Sequence, residues 1–318
     1  MMVRFFDFFG SFLNLFEVWR WILRSKIHLF FYVNILNMPE LPEVQTIVDD
    51  LERKVVGKTI VDVWSDYKKA VRPSFSVFKK GVLKRKVVGT ERRGKHLVLN
   101  LTGGYSIVIH LKMIGHLLFK RKGEKNKKFE EKINQYIHHI IYFKNGDRLA
   151  MSDMRKFAWM RFIKTDSVGK MKEIAQLGID ALSSDLGLKK FEELLKKREK
   201  GKIGIVILDQ KWIAGVGNIY RSEILFEAGV APERLIKSLK REERKKLYLA
   251  MRKVLKKSVR MRGTSTVDYR DISGKKGRFQ NFLKVYGKEG KQCAKCQGKI
   301  ERLKLNQRSV FWCRQCQK

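Results

Sequence analysis

All four cysteines of this 318-residue chain fall in its last 26 residues, as Cys293-x-x-Cys296, sixteen intervening residues, and Cys313-x-x-Cys316. Two such pairs have the spacing of a four-thiolate zinc site on a β-hairpin, with two disulfides or a redox pair as the alternative. A tetrathiolate site has no open position, so its metal folds the hairpin and takes no part in chemistry. The C-terminal end is therefore expected to be a small metal-nucleated module attached to something larger. Between the pairs, "KLNQRSVFW" (304–312) places Arg308 at the centre of a polar, basic loop suited to a phosphate.

Charge narrows the choice of partner. Lys and Arg number 70 against 32 Asp and Glu, a net charge of +38, and a polyanion is the natural counterpart. Positive residues run through the chain, as in "KKREKGK" (196–202) and "KREERKKLYLAMRKVLKKSVRMRG" (240–263), interleaved with apolar positions at helical spacing. That distribution favours an extended phosphate-binding face over a single membrane anchor.

Residues 1–37 differ in character. They are rich in Phe and Trp, but Arg4, Asp7, Glu17, Arg20, Arg24 and Lys26 interrupt every apolar run before it reaches the roughly 18 residues of a spanning helix. No secretory signal is clear. Three readings stay open: a wrongly chosen upstream start, an amphipathic interfacial helix, or a docking extension. A second beginning lies at Met38.

After Met38, "PEVQTIVDDLERKVVGKTI" carries Val44, Ile47, Val48, Leu51 and Val55 at helical spacing, with Gly57 as a stop. From about 60 to 165, short β-prone runs separated by turn signals such as Thr102-Gly103-Gly104 and Asn145-Gly146 predict an antiparallel sandwich or barrel-like domain. Helical periodicity returns from about 166 to 270. "KGEKNKKFEEK" (122–132) reads as a mobile charged loop.

With these segments in place, "MPELPEVQT", "RRGKHL", "HLKMIGHL", "DMRKFAWM", "GVGNIYRSEILF", "FQNFLKVYG" and "QRSVFWCRQCQK", in that order, resemble the formamidopyrimidine-DNA glycosylase family across essentially all of 38–318. The resemblance implies an α+β multidomain fold. Residues 38–165 would form a β-sandwich flanked by helices, 166–280 a helix-two-turn-helix domain with a lesion-capping loop at 262–280, and 281–318 a zinc finger. It implies a monomeric, cytoplasmic, nucleoid-associated enzyme acting on double-stranded DNA with oxidised bases or abasic sites, and one structural Zn2+.

The family's N-terminal proline, matched by Pro39, attacks the sugar C1′ as a secondary amine, expels the base and forms an iminium ion. That ion is an electron sink for β,δ-elimination. Glu40 matches the general acid for the ring oxygen, provided burial raises its pKa, and Glu43 a hydrogen-bonded support. Lys95 matches a phosphate-gripping lysine assigned the β-elimination proton, and Arg308 a phosphate contact assigned the δ-elimination proton.

Met113, Arg155 and Phe157 match the set that fills the gap left by the everted nucleotide, and Asn218 matches a phosphate-binding residue at a helix N-terminus. Two positions depart from the pattern. Tyr136 stands where many members have a DNA-contacting histidine, with His138 and His139 nearby; Gly204 stands where an Ile-Lys pair is common, with Lys200 and Lys202 as substitutes. Cys293, Cys296, Cys313 and Cys316 are the metal ligands. If residues 1–37 stay attached, the Pro39 nitrogen is a tertiary amide, so translation from Met38 or proteolytic exposure of Pro39 is expected. The alternatives are an endonuclease VIII-like enzyme for oxidised pyrimidines, a non-catalytic DNA-binding protein, and a membrane-associated protein held by residues 1–37. "PELPEV" leans toward the purine branch.

Overall fold

The computed structural model describes residues 38–125, 127–266 and 268–318. The readings made for residues 1–37 lie outside the described residues. Among the described residues no helix is long and apolar enough to cross a membrane.

Helix α1 (Leu41–Val55) forms where the sequence predicts it. Its entry is set by Glu43 reaching back to the N-cap, with the Glu40 N–H donating to Glu43 Oε2 at 2.9 Å. It stops before Gly57, whose φ of +87° lies in the left-handed region. Val44, Ile47, Leu51 and Val55 are fully buried.

Nine strands follow: β1 (Ile60–Ser65), β2 (Val71–Arg72), β3 (Val87–Arg93), β4 (His96–Leu101), β5 (Tyr105–His110), β6 (His116–Lys120), β7 (Ile137–Phe143), β8 (Arg148–Ser152) and β9 (Trp159–Lys164). They build a four-stranded sheet, β1-β7-β8-β6, and a five-stranded sheet, β2-β9-β5-β4-β3. One apolar cluster joins them: Leu97, Leu99, Ile107 and Ile109 from the larger sheet meet Leu117, Ile141, Leu149 and Met151 from the smaller, with the apolar face of α1 closing one side. This is the packing of a β-sandwich. The alternate residues Val98, Val108 and Trp159 face outward and are covered by Val168, Met171 and Ile174, so β4 and β5 are buried on both faces.

The structure differs from the sequence expectation in three places. The short β2 runs parallel to β9, while the other strand pairs of the sandwich are antiparallel. A helix, α2 (Phe75–Val82), interrupts the strand region; Ser74 Oγ accepts from the Val77 N–H at 3.3 Å as its N-cap. The stretch 122–132 is not a free charged loop. Its described residues include 3-10 turns at Lys127–Glu130 and, just beyond, Lys132–Asn134; Phe129 is buried against Leu118 and Ala150, and Glu131 pairs with Arg270 at 3.2 Å. One buried aromatic ring is enough to dock a segment whose composition reads as solvated.

The helical half contains α3 (Lys172–Ala175), α4 (Leu188–Lys196), α5 (Ile203–Val206), α6 (Asn218–Ala228) and α7 (Arg241–Arg260), with a small parallel pair, β10 (Ile179–Asp180) and β11 (Ile213–Ala214). From Ile219 through Phe226, α6 is buried on every side. It ends at Gly229, φ +71°. The chain closes with the antiparallel hairpin β12 (Ile300–Leu305) and β13 (Arg308–Cys313), whose two turn residues Asn306 and Gln307 both have positive φ.

The hairpin hangs from α6. The buried Glu223 carboxylate accepts the N–H groups of Lys284, Val285 and Tyr286 at 2.8–3.0 Å, on the segment leading into the cysteines. Replacing Glu223 by Ala leaves three donors without their acceptor. At about 1 kcal/mol or more for each, Glu223→Ala is expected to cost roughly 3 kcal/mol, measurable as a lower denaturant midpoint at unchanged metal content.

Candidate active site

Glu40 occupies the junction of the two halves. It is the N-cap of α1, and its side chain turns away to the start of α6, where it accepts from the N–H groups of Gly217 (2.8 Å), Ile219 (2.9 Å) and Tyr220 (3.3 Å). Those are donors that a helix N-terminus leaves without internal partners. Gly217 is required by this approach, since a Cβ there would lie 2.2 Å from the Glu40 carboxyl carbon. Beside it the Leu41 N–H donates to the Gly215 carbonyl at 3.0 Å. Pro39, immediately before Glu40, is buried and borders a small cavity with Glu43, Ile219, Thr264 and Asp268.

Three buried ionisable groups surround this point. Burial raises the pKa of Glu40, against the opposing charge of Lys95 and the three N–H donors. Burial, followed by the neighbouring Glu40, raises Glu43 to about 7, against hydrogen bonds from the Tyr220 hydroxyl, the Thr264 N–H (2.6 Å) and the Glu40 N–H. Burial lowers Lys95, with Arg308 acting in the same direction and Glu40 and Glu43 opposing. Each shift moves a group toward neutrality, which suits groups that exchange protons near neutral pH.

Lys95 is presented by the tight turn between β3 and β4, where Gly94 has φ +57°. It lines a cleft of about 720 Å3 together with Met38, His110, Lys112, Arg221 and Arg308. Arg308, the first residue of β13, reaches that cleft from the hairpin, so Lys95 and Arg308 meet from opposite halves of the molecule.

Met113, Arg155 and Phe157 also come together. Arg155 Nη1 approaches Met113 Sδ at 3.5 Å, its guanidinium lies 4.7 Å from the Phe157 ring centroid, and Phe157 is 48% exposed. An exposed Phe beside a guanidinium is the composition of a wedge. Sequence reasoning missed what holds it: buried Asp153 accepts the N–H groups of Arg155, Phe157 and Ala158, and its own N–H donates to the Tyr136 carbonyl at 2.8 Å. Tyr136 therefore abuts the 153–158 loop through its backbone. His138 is engaged by Asp66 and His139 by Ser65.

Asn218 is the first residue of α6, and its side-chain oxygen accepts from Arg221. Lys200 is not brought to the cleft: it stands exposed in the turn after α4, while Lys202 pairs with Glu233 at 2.9 Å. Gly204 has its N–H on the Pro232 carbonyl, and a Cβ there would sit 2.7 Å from that oxygen. The segment 262–280 is well fastened in its described residues. Arg262 bridges Asp50 and Asp271, the Ile272 carbonyl accepts from the Phe119 N–H at 2.7 Å, and Thr264 reaches Glu43.

The ligand atoms of Cys293, Cys296, Cys313 and Cys316 all lie within 4.8 Å of one another, and the thiols are free of disulfides. Four sulfurs gathered around one point fit a tetrahedral metal ion. Chelation is expected to release one metal per chain and to unfold the hairpin first, read as a change in Trp312 fluorescence that restoring the metal reverses.

The pH dependence of stability offers a second test. Glu43 has a folded pKa of about 7 against 4.5 as its ordinary value. The folded state therefore holds this proton more tightly than the unfolded chain, and stability falls as pH rises from about 4.5 to about 7, with no further change from this group above that. Glu43→Gln is expected to flatten that stretch of the stability-against-pH curve.

Comparison with known proteins places the chain. Residues 38–160 match the formamidopyrimidine-DNA glycosylase N-terminal domain, and 177–270 the H2TH domain of the same family. A formamidopyrimidine-DNA glycosylase from Pelotomaculum thermopropionicum is 37% identical over 282 residues, 88% of this chain and 99% of that protein. Among solved structures, a complex of the Lactococcus lactis Fpg with DNA containing an abasic site is 31% identical with a TM-score of 0.78, covering 88% of this chain and 99% of that one. A mutant of that protein in complex with Fapy-dG-containing DNA is 30% identical at a TM-score of 0.79, covering 88% and 100%. With the clamped glutamate, Lys95 and Arg308 lining one cleft and the four-cysteine hairpin in the same chain, this protein belongs to the formamidopyrimidine-DNA glycosylase family.

Proposed function

We propose that this protein is a bifunctional DNA glycosylase and abasic-site lyase of base excision repair that removes oxidised purines, 8-oxoguanine and formamidopyrimidines, through a Pro39 iminium. The observation that carries this reading is the placement of Glu40: a buried carboxyl with a raised pKa, held by three N–H groups directly beside Pro39. The lesion in the relative's complex, Fapy-dG, and the abasic site in the other support this choice of substrate.

In this reading residues 38–165 carry the chemistry, 166–280 grip the duplex and cap the lesion with 262–280, and 281–318 form the zinc finger. Zn2+ held by Cys293, Cys296, Cys313 and Cys316 supplies structure alone, fixing the hairpin that carries Arg308. Met113 and Phe157 fill the stack and Arg155 meets the orphaned base, at the few kcal/mol that eversion costs. Asn218 and Tyr136 flank phosphates, and Lys200 contacts duplex outside the cleft.

The Pro39 amine attacks C1′, and the base departs with the glycosidic electron pair and the amine proton. The nitrogen lone pair then opens the C1′–O4′ bond while Glu40 protonates O4′, leaving an iminium at C1′. Loss of the C2′ proton to solvent sends the C3′–O3′ pair to the 3′ phosphate, where Lys95 supplies the proton. Loss of the C4′ proton sends the C5′–O5′ pair to the 5′ phosphate, where Arg308 supplies it. A lysine whose pKa burial lowers gives up its proton more readily than a solvated one.

The first step requires a free nitrogen on Pro39, so the active species begins there and residues 1–38 are absent from it. Borohydride trapping on 8-oxoguanine opposite cytosine is expected to give a covalent complex with chain beginning at Pro39 and none with chain that retains residues 1–37. A retained segment with full trapping would sink the proline mechanism, and preference for thymine glycol would move the protein to the pyrimidine branch. Glu40→Gln is expected to lower base excision by at least about a hundredfold with near-normal binding to abasic-analogue DNA.

A further inference from the structure

Arg221 is the largest fully buried side chain of the described residues, at 0% exposure. Neither its sequence neighbours nor the chemistry above gives it a role. It lines the same cleft as Lys95, Asn306 and Arg308. Nη1 donates to the Gly204 carbonyl at 3.0 Å, and Nη2 donates to Asn218 Oδ1 and to the Ser309 carbonyl at 3.0 Å. Nε has no acceptor.

A buried charge normally has a carboxylate in contact, since desolvation costs several kcal/mol. Among the described residues none lies within ion-pair distance of Arg221; Glu40 acts on it through space, while Arg308 opposes. Burial brings its pKa down to about 10, which still leaves it charged at neutral pH. Three neutral acceptors from three separate segments are thus gathered by one fork. Only a guanidinium offers donors in a plane wide enough for all three; the ammonium of lysine is a point charge.

The acceptor on β13 is the decisive one. Ser309 follows Arg308 directly, and Arg308 pairs with Leu305 across a two-residue turn in which Asn306 and Gln307 both have positive φ. The Arg221 bond to the Ser309 carbonyl fixes the Ser309–Val310 peptide plane, one unit beyond Arg308, while its bond to Asn218 ties the same point to the start of α6, where Glu40 is held.

We propose that Arg221 is a positioning residue for Arg308: it sets the tip of the hairpin against the helix that holds Glu40, and so places the Arg308 guanidinium for the second elimination. The proposal rests on the lyase reading given above. A displacement of about 1 Å at a reacting group can cost up to ~100-fold, so loss of Arg221 is expected to fall on the step that uses Arg308. A staple that only holds the fold would lower every step together.

The test uses chain beginning at Pro39, 8-oxoguanine duplex, and single-turnover separation of β- and β,δ-products. Arg221→Met is expected to lower the δ-to-β product ratio at least about tenfold, with a smaller loss in borohydride trapping and with one metal per chain retained. In an Arg308→Gln background the same change is expected to add less than about twofold to the loss of δ-product, because residues that act through one another are not additive. Should Arg221→Met fail to fold, Arg221→Lys enters the same cycle. An unchanged ratio, an equal loss in all steps, or full additivity with Arg308→Gln overturns the proposal. A wild-type chain that traps no DNA removes the lyase reading and the inference with it, whereas wild-type trapping beside any of those three results removes the inference alone.

Discussion

The bond set that the site depends on is the seating of one carboxylate on one helix end. Glu40 accepts three N–H groups at the start of α6, and in doing so it fixes the first turn of α1, the chain leading into it and the relation of the sandwich to the helical half. Helix N-termini attract anions through their unpaired donors and their dipole. Here burial works against that attraction, since it penalises the charged form and raises the pKa. The carboxyl is held firmly in place and yet is easier to protonate than a solvated one, the combination that a group delivering a proton to a fixed atom needs.

Glu40, Glu43 and Lys95 form a set in which each charge limits the others. Glu43 is pushed up by burial and by Glu40, Lys95 is pushed down by burial, the charge of Lys95 moderates Glu40, and the two carboxyls moderate Lys95. Removing any one alters the protonation of the rest, so effects of substitution here belong to the group rather than to single residues.

Much of this is legible in the sequence because it rests on local rules. The apolar spacing of α1, the alternating strands, the turn glycines and the cysteine pairs each follow from a period or a spacing, and the order of seven motifs points to the family. The wedge residues and the Lys95 turn emerge through that resemblance. What escapes depends on long-range contacts. Strand β3 offers little alternation to read, since its pairing with β4 shifts register between Val87 and Gly89. The docking of 122–132 uses Phe129, the one buried aromatic ring of a charged stretch, and the distant partner Arg270 of Glu131. Asp153 and Arg221 look like ordinary charged residues until the fold buries them, and Lys200, the candidate to replace a missing lysine, stands exposed in its turn away from the cleft. No periodicity records which of 70 basic residues face inward.

Helix α6 receives Glu40 at its first turn and, through Glu223, carries the segment that leads to the cysteines. Both attachments are made to one helix, 11 residues long and buried from Ile219 through Phe226. The protein thus has a common datum for two residues far apart in the chain: error in the placement of Pro39 relative to Arg308 accumulates only over the few bonds that join each to the helix, and not over the roughly 270 residues of sequence between them. A tilt of the sandwich or a slip in the helical half that leaves α6 whole would leave that spacing intact.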